Sequence, residues 1–212
     1  MAIRKRLSRK LLFTGSATAL AIGASAGVAL AVAITFSITP GGNVSASTSK
    51  TNFTDVVTSS VLACASSAAT GTLKSGHGIS GTNLGSIKTL TFSNCTGPLA
   101  LTFTVTSHVP LTVHGTFFNA TTGVTTGNIT GIHLALSGPN CSVDIDGTAD
   151  GANNGKVRVS YTNGTHKLKL LANGGNLHLY NVNGCDSLVN SGDATHFTGT
   201  YTVTPKQTIT SP

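Results

Sequence analysis

The chain has 212 residues, no tryptophan and no glutamate, and a formal net charge of +7 from 13 basic and six acidic side chains. Five of the basic residues lie within the first ten positions, so the remainder carries eight basic side chains against six aspartates, a net charge of +2. Nucleic-acid-binding domains concentrate Lys and Arg in a patch or stripe. The low and scattered charge therefore argues against a nucleic-acid partner.

The first 46 residues resemble an export signal. Five basic residues between Arg4 and Lys10 precede an uncharged stretch over residues 11–39, and Pro40-Gly41-Gly42 ends any helix before Val44-Ser45-Ala46. We predict a signal peptide over residues 1–46 that is cleaved after Ala46. The uncharged stretch exceeds the usual length of about 7 to 15 residues and suffices to cross a bilayer, so a retained N-terminal membrane anchor is the alternative.

The rest of the chain is predicted to be almost entirely β-strand. Residues 47–70 are predicted to form an N-terminal extension or a short helix, for which residues 53–69 are the one suitable stretch, and a single β-domain follows over residues 71–212. In this domain apolar and polar residues alternate, as at Leu99, Leu101, Phe103 and Val105. Period two is typical of a sheet with one buried and one solvated face.

About nine short strands are predicted, separated by turn-forming clusters such as Ser137-Gly138-Pro139-Asn140. The fold class is therefore an all-β antiparallel sandwich or closed barrel, between which the sequence does not choose. In one strand the alternation places Val157, Val159 and Tyr161 inward and Arg158 outward. The other inward residues of the last strands are Leu168, Leu170, Phe197, Gly199, Tyr201 and Val203.

The four cysteines are Cys64, Cys95, Cys141 and Cys185, and they include no C-x-x-C pair. This spacing supports neither a zinc ribbon nor a thioredoxin-type motif. In an exported chain they are predicted to form two disulfides. Three pairings exist, and we predict Cys64 with Cys95 and Cys141 with Cys185, because these close two local loops while the other patterns link the two halves of the chain.

The stretch DIDGTADG places Asp144, Asp146 and Asp150 at positions one, three and seven of a calcium-binding loop. An EF-hand loop needs glycine at position six and glutamate at position twelve, which here are Ala149 and Gly155. The favoured interpretation is a strand end that runs into two Asp-Gly turns, with both strand aspartates facing water. A weak surface calcium site is the alternative, and no cofactor is predicted.

Catalytic motifs are missing from the predicted β-domain. The sequence contains no H-x-H or H-E-x-x-H pattern, and its G-x-S-x-G match at residues 23–27 lies within the predicted signal peptide. The aspartates of DIDGTADG are strand neighbours instead of a pair that faces across a cleft. Four histidines lie on the polar faces of predicted strands and would collect zinc or copper only if those strands were adjacent. These four are His114, His133, His178 and His196. We predict no catalytic residues and no enzymatic activity.

Four segments carry a resemblance to known sequences over roughly residues 60–210: FSNCTGPLALTFTVT, LSGPNCS, YTNGT and VNGCDSLVNSGDATHFTGTYTVTPKQTIT. Their order is similar to that in an uncharacterised family of small secreted actinobacterial all-β proteins with four cysteines. The resemblance implies a compact exported all-β domain with two disulfides. It implies no catalytic or ligand-binding residue.

The predicted function is a secreted or cell-surface, disulfide-stabilised, non-catalytic β-domain, which contacts the membrane only if its N-terminal segment is uncleaved. Two alternatives remain open. A ligand- or surface-binding module is expected to show an apolar cavity or an exposed aromatic patch. A secreted metal-dependent enzyme is expected to cluster its histidines and aspartates.

Overall fold

A computed structural model describes residues 34–212, and these residues form sixteen β-strands and one 3₁₀ turn over Pro98–Ala100. The strands are β1 Thr35–Thr39, β2 Gly42–Thr48, β3 Thr51–Asp55, β4 Val61–Leu73, β5 Gly76–Ser80, β6 Gly85–Thr96, β7 Thr102–Ser107, β8 Leu111–Asn119, β9 Val124–Ile132, β10 Leu134–Gly138, β11 Cys141–Asp146, β12 Gly155–Thr162, β13 Lys167–Leu171, β14 His178–Asn183, β15 Thr195–Thr204 and β16 Thr208–Thr210. The all-β prediction is confirmed, with more strands than the nine or so expected. Within the described range, we find no helix with the length and apolar character that a bilayer span requires.

Eight antiparallel strands close into a barrel. Their order is β6-β8-β9-β12-β13-β15-β2-β4, and pairing of β4 with β6 completes the ring. β3 pairs with both β15 and β4, next to the stretches of those strands that pair with β2. Closure satisfies the backbone hydrogen bonds that an open sheet would leave at its edges. Of the two predicted folds, the structure is therefore the closed barrel, with additional strands.

Four strands continue the sheet outward from β6, in the order β7-β10-β11-β14. We call them the side sheet. Leu134, Val143 and Ile145 of this sheet are buried in the same apolar cluster as Leu62 and Phe197 of the barrel strands. A shared hydrophobic core therefore holds the side sheet against the barrel.

A three-stranded sheet with β1 at its centre, in the order β16-β1-β5, forms a second layer that we call the cap sheet. Phe36 and Ile38 of β1 are fully buried. They pack in one cluster with Tyr161 and Val203 of the barrel. The buried Tyr161 hydroxyl also donates a hydrogen bond of 2.8 Å to the carbonyl of Gln207, just before β16. The cap sheet is thus joined to the barrel by apolar packing and by a buried hydrogen bond.

The inward faces predicted for the last strands are mostly confirmed. Val157, Val159 and Tyr161 are buried, whereas Arg158 between them is exposed. In the strands that follow, the buried residues are Leu170, Phe197, Tyr201 and Val203. Leu168 and Gly199 are half-buried. Strict alternation works here because each of these strands has one face toward the barrel interior.

The N-terminal predictions need correction. Residues 1–33 of the predicted signal peptide lie outside the described residues, but residues 35–46, also assigned to it, form β1 and the first part of β2. The expected boundary at residue 46 therefore falls inside a barrel strand. The short helix predicted within residues 53–69 is wrong, because these residues form the end of β3 and most of β4. The β-domain consequently begins before residue 71.

One predicted strand residue lies in a turn. Leu99 was expected to begin an alternating strand, but it is 82% exposed and has a positive φ of 58° in the Pro98–Ala100 turn. Proline has no N–H for a strand ladder. The turn is closed instead by the Leu101 N–H, which donates to the Pro98 carbonyl at 3.2 Å. The strand β7 therefore starts only at Thr102.

Candidate functional site

Both disulfides join neighbouring strands. The structure pairs Cys64 with Cys95 and Cys141 with Cys185, as the local-loop argument predicts. Cys64 and Cys95 stand opposite each other in the β4–β6 ladder. Cys141 opens β11, and Cys185 follows the end of its antiparallel partner β14. The second bridge therefore ties the loop after β14 to the side sheet.

Asp146 is the anchor of the loop that follows β11. Its carboxylate is fully buried, and Oδ1 accepts hydrogen bonds from the N–H groups of Gly147 at 2.6 Å and Asn154 at 3.1 Å. Oδ2 accepts from the Asn153 N–H at 2.9 Å and lies 2.8 Å from His133 Nδ1. The prediction that Asp146 faces water is wrong, because the backbone of its loop folds back onto it.

Two opposing effects act on the pKa of Asp146. Burial, the larger single cause, raises the pKa, whereas hydrogen bonds from His133 and from three backbone amides lower it. The hydrogen bonds together prevail, so the pKa lies below its ordinary value of about 3.8. Asp146 is therefore held as a carboxylate whose partners are all structural.

The other two calcium candidates have a partner in common. Asp144 Oδ2 and Asp150 Oδ2 accept hydrogen bonds from Asn181 Nδ2 at 2.9 Å and 2.8 Å. Asp146 has a different set of partners. Within residues 34–212, no three His, Cys, Asp or Glu side chains are grouped so that they could hold a metal ion. The structure thus brings Asp144 and Asp150 together without the third ligand.

The polar-face histidines mostly have separate neighbours. His114 Nε2 lies 2.7 Å from Thr130 Oγ1, and His178 Nδ1 lies 2.9 Å from the Asn176 carbonyl. His133 contacts Asp146, while His196 lies half-buried on β15. These contacts are local hydrogen bonds, one of which places the Thr130 hydroxyl beside His114.

The barrel encloses an apolar cavity of about 120 Å³. Its lining includes Val157, Leu170 and Tyr201, and the Tyr201 hydroxyl donates to Ser67 Oγ at 2.9 Å. Burial raises the pKa of Tyr201 to about 12, against the weaker opposing effect of the Ser67 hydrogen bond. Cavities near 150 Å³ accept a molecule the size of benzene. The barrel interior is therefore small for a ligand site, and it lacks a charged group.

A larger cleft lies between the side sheet and the β3 end of the barrel, with a volume of about 320 Å³. We call it the Asp55 cleft. Most of its lining is apolar, and the lining contains no Lys, Arg or His. Its lining includes Phe53, Asp55, Leu62, Leu136, Cys141, Val143, Leu179, Cys185, Asp186 and Leu188. Its volume falls in the range of about 300 to 1,000 Å³ typical of small-molecule sites.

Asp55 is the unusual residue of this cleft. It is 3% exposed, and its Oδ1 accepts hydrogen bonds from the N–H groups of Val57 at 2.7 Å and Thr58 at 3.0 Å. Its Oδ2 is buried and has no hydrogen-bond partner among the described residues. Carboxylates are seldom buried without partners for both oxygens. One oxygen thus closes a turn, and the other is left for a donor that residues 34–212 do not supply.

The turn beside Asp55 is tied to the opposite wall. Thr58 Oγ1 donates to the Leu188 carbonyl at 2.8 Å, and Ser60 Oγ donates to the same carbonyl at 2.5 Å. Leu188 N–H in turn donates to the carbonyl of Cys185 at 2.9 Å. The disulfide of Cys185 therefore fixes the loop that borders the cleft.

Sequence reasoning does not single out Asp55. An aspartate whose side chain accepts from N–H groups two and three residues later is an ordinary turn former. The second oxygen is informative only because it is buried beside a cleft that residues of β3, β11 and β14 line. These strands are far apart in the sequence. The one local signal is an acidic residue at the end of a strand that is otherwise buried at alternate positions.

Comparisons with known proteins give no relative for this chain. It matches no protein-family model, no curated protein and no solved structure. The features that bear on function are therefore those of the described residues themselves. The similarity to small secreted actinobacterial proteins stays an expectation from the sequence.

Proposed function

We propose that this chain is an exported, non-catalytic binding domain whose ligand is a small apolar amine held in the Asp55 cleft. The observation that carries the proposal is the buried Asp55 carboxylate, with one oxygen lacking a partner, in an otherwise apolar cleft of about 320 Å³. The two disulfides support a location in an oxidising compartment outside the cytoplasm. The basic N-terminal segment and the family resemblance support export.

The charge of the cleft favours a cationic ligand. A buried acceptor without a partner costs about 1–3 kcal/mol, and more if it is ionised. The lining holds two aspartates, Asp55 and Asp186, and no basic side chain to balance them. An ammonium group would donate a charge-assisted hydrogen bond to Oδ2, which is about twice as strong as a neutral one.

The apolar walls favour a hydrocarbon tail. The cleft is lined by Leu136, Val143 and Leu179 from the side sheet, Leu62 from the barrel and Phe53 from β3. Each methylene group that a ligand buries there contributes about 0.8 kcal/mol. A ligand of five to eight carbons with one terminal amine combines both features. The same geometry disfavours a carboxylate, because Asp55 would repel it.

Calorimetric titration with n-hexylamine, n-hexanol and hexanoate tests this proposal. We expect one molecule of hexylamine to bind per chain, hexanol to bind about tenfold more weakly, and hexanoate to show no measurable binding. In Asp55→Asn the amide oxygen still accepts from the turn, but the charge is lost. This variant should lose the preference for the amine over the alcohol.

Asp150→Asn is the matched control, since it removes one negative charge from an exposed loop outside the cleft. It should bind hexylamine as the parent chain does. Equal affinity of Asp55→Asn and the parent chain for hexylamine would refute the site. Equal binding of hexanoate and hexylamine would refute the proposed charge selection.

A further inference from the structure

The N-terminal strands are structural parts of the domain. β1 is the central strand of the cap sheet and pairs with β16 on one side and β5 on the other. Its Phe36 and Ile38 are fully buried. Loss of β1 would leave both neighbouring strands without a partner and remove two large apolar side chains from the cap. Removing even one such side chain from a core leaves a cavity and destabilises the folded state.

Polar contacts also require the residues before Ser47. Gln207 is fully buried, and its Oε1 accepts a hydrogen bond of 2.9 Å from the Gly41 N–H. The carbonyl of Thr35 accepts from Ser211 Oγ at 2.7 Å. A chain that began at Ser47 would lack Gly41, and the buried Gln207 Oε1 would lose the N–H that donates to it.

The barrel itself needs the same residues. β2 occupies Gly42–Thr48 and pairs with β4 along its whole length and with β15 at Ser45, Ala46 and Ser47. Cleavage after Ala46 would remove five of its seven residues. The barrel would then be open between the stretches of β15 and β4 that pair with β2, and the backbone groups of those stretches would be unpaired. The folded domain is therefore incompatible with removal of residues up to 46.

A second small-residue motif lies upstream of the first described residue. Ala31-Val32-Ala33 has small side chains at the first and third positions, which signal peptidases require at the positions three and one before the cut. It also lies within the uncharged stretch, so a cut after Ala33 would leave residues 11–33 of that stretch in the leader. Ile34, the first described residue, already contacts the domain, since its carbonyl accepts a hydrogen bond of 3.0 Å from the Gly81 N–H.

We infer that the chain carries a signal-peptidase site between Ala33 and Ile34, and that the exported domain begins at Ile34. This inference rests on the export part of the proposed function. The cut is a hydrolysis that consumes one water molecule. The amide bond between the Ala33 carbonyl carbon and the Ile34 nitrogen breaks, the hydroxyl group of water bonds to the carbon, and its proton goes to the nitrogen. The cut releases the whole basic leader and leaves β1 and β2 intact.

The test is to express the full chain in a bacterium with a general secretory pathway. The mass of the intact protein in the extracytoplasmic fraction is then determined by mass spectrometry. We expect one species that starts at Ile34 and contains both disulfides. An exported species that starts at Ser47 would overturn the site while leaving export in place. Full-length chain that stays in the membrane with its domain outside the cytoplasm would overturn the site, and full-length chain confined to the cytoplasm would overturn both export and the site.

Two neutral variants distinguish this bond from its neighbours. Ala33→Gln puts a large side chain directly before the cut, where only small residues are accepted, and should abolish the species that starts at Ile34. Val32→Gln makes the same chemical change at the tolerant middle position and should be processed as the parent chain is. Unchanged processing of Ala33→Gln, or equal loss in both variants, would overturn the inference.

Discussion

Two buried aspartates in this domain differ in how completely they are satisfied. Asp146 has four hydrogen-bond partners, all supplied by the chain. Asp55 has partners at Oδ1 and none at Oδ2 among the described residues. A carboxylate with partners at both oxygens stabilises a loop. A carboxylate with one unpaired buried oxygen destabilises the unbound protein, and a ligand that donates to this oxygen would remove that penalty. This contrast separates the structural aspartate from the functional candidate.

Asp146→Asn should destabilise the domain at neutral pH and less so in acid. Because the folded-state pKa of Asp146 is lowered, its contribution is fully present above the unfolded value of about 3.9 and is lost as the pH falls through the folded value. The amide NH₂ of the variant would also face backbone N–H donors. Urea unfolding should show a loss of about 1–3 kcal/mol at pH 7 that shrinks below pH 4.

Asp150→Asn serves as the comparison for this experiment. Its side chain is exposed and bonded only to Asn181, so its effect should stay within about 0.5 kcal/mol at both pH values. A loss in Asp146→Asn that is constant from pH 7 to pH 2 would contradict the assignment of the lowered pKa.

At the scale of elements, β4 shows where sequence reasoning fails. Its run of Ala and Ser has the composition of a helix, but the strand pairs with β2, β3 and β6 and buries Ser67, Ala69 and Gly71. Small residues are buried there because neighbouring strands come close, and the sequence of β4 alone does not contain those neighbours. By contrast, β12 is predictable because Val157, Val159 and Tyr161 alternate with polar residues.

The two disulfides should have separable effects. Paired Cys→Ser changes at Cys141 and Cys185 are expected to lower hexylamine affinity about fivefold or more, because the loop that holds Leu188 loses its anchor. The same changes at Cys64 and Cys95 lie outside the cleft lining and should leave the affinity unchanged. Each pair should cost about 2–5 kcal/mol in urea unfolding.

Each double variant keeps one disulfide when it folds in the oxidising compartment. Its affinity for hexylamine is then measured at low temperature, so that a destabilised variant stays folded. If both double variants bind hexylamine as tightly as the parent chain, the Cys141–Cys185 bridge has no role in shaping the cleft. If both lose affinity to the same extent, general destabilisation, and not the loop, is responsible.

At the scale of the whole molecule, the sequence predicts the fold class and the disulfide partners but not the closure of the barrel or the cleft. Alternation reports which face of a strand is buried, and it is silent on which strands are neighbours. The pairing of β4 with β6, which completes the ring, joins residues 63–73 to 85–96. The Asp55 cleft depends on the same long-range pairings, because β3, β11 and β14 build it together.

The most direct test of ligand binding in the Asp55 cleft is a two-dimensional NMR titration of the folded, oxidised domain with n-hexylamine. The amide signals of Val57 and Thr58, which donate to Asp55 Oδ1, should shift most, together with the methyl signals of Leu136 and Val143. Shifts confined to barrel-interior residues such as Val159, or no saturable shifts at all, would contradict it.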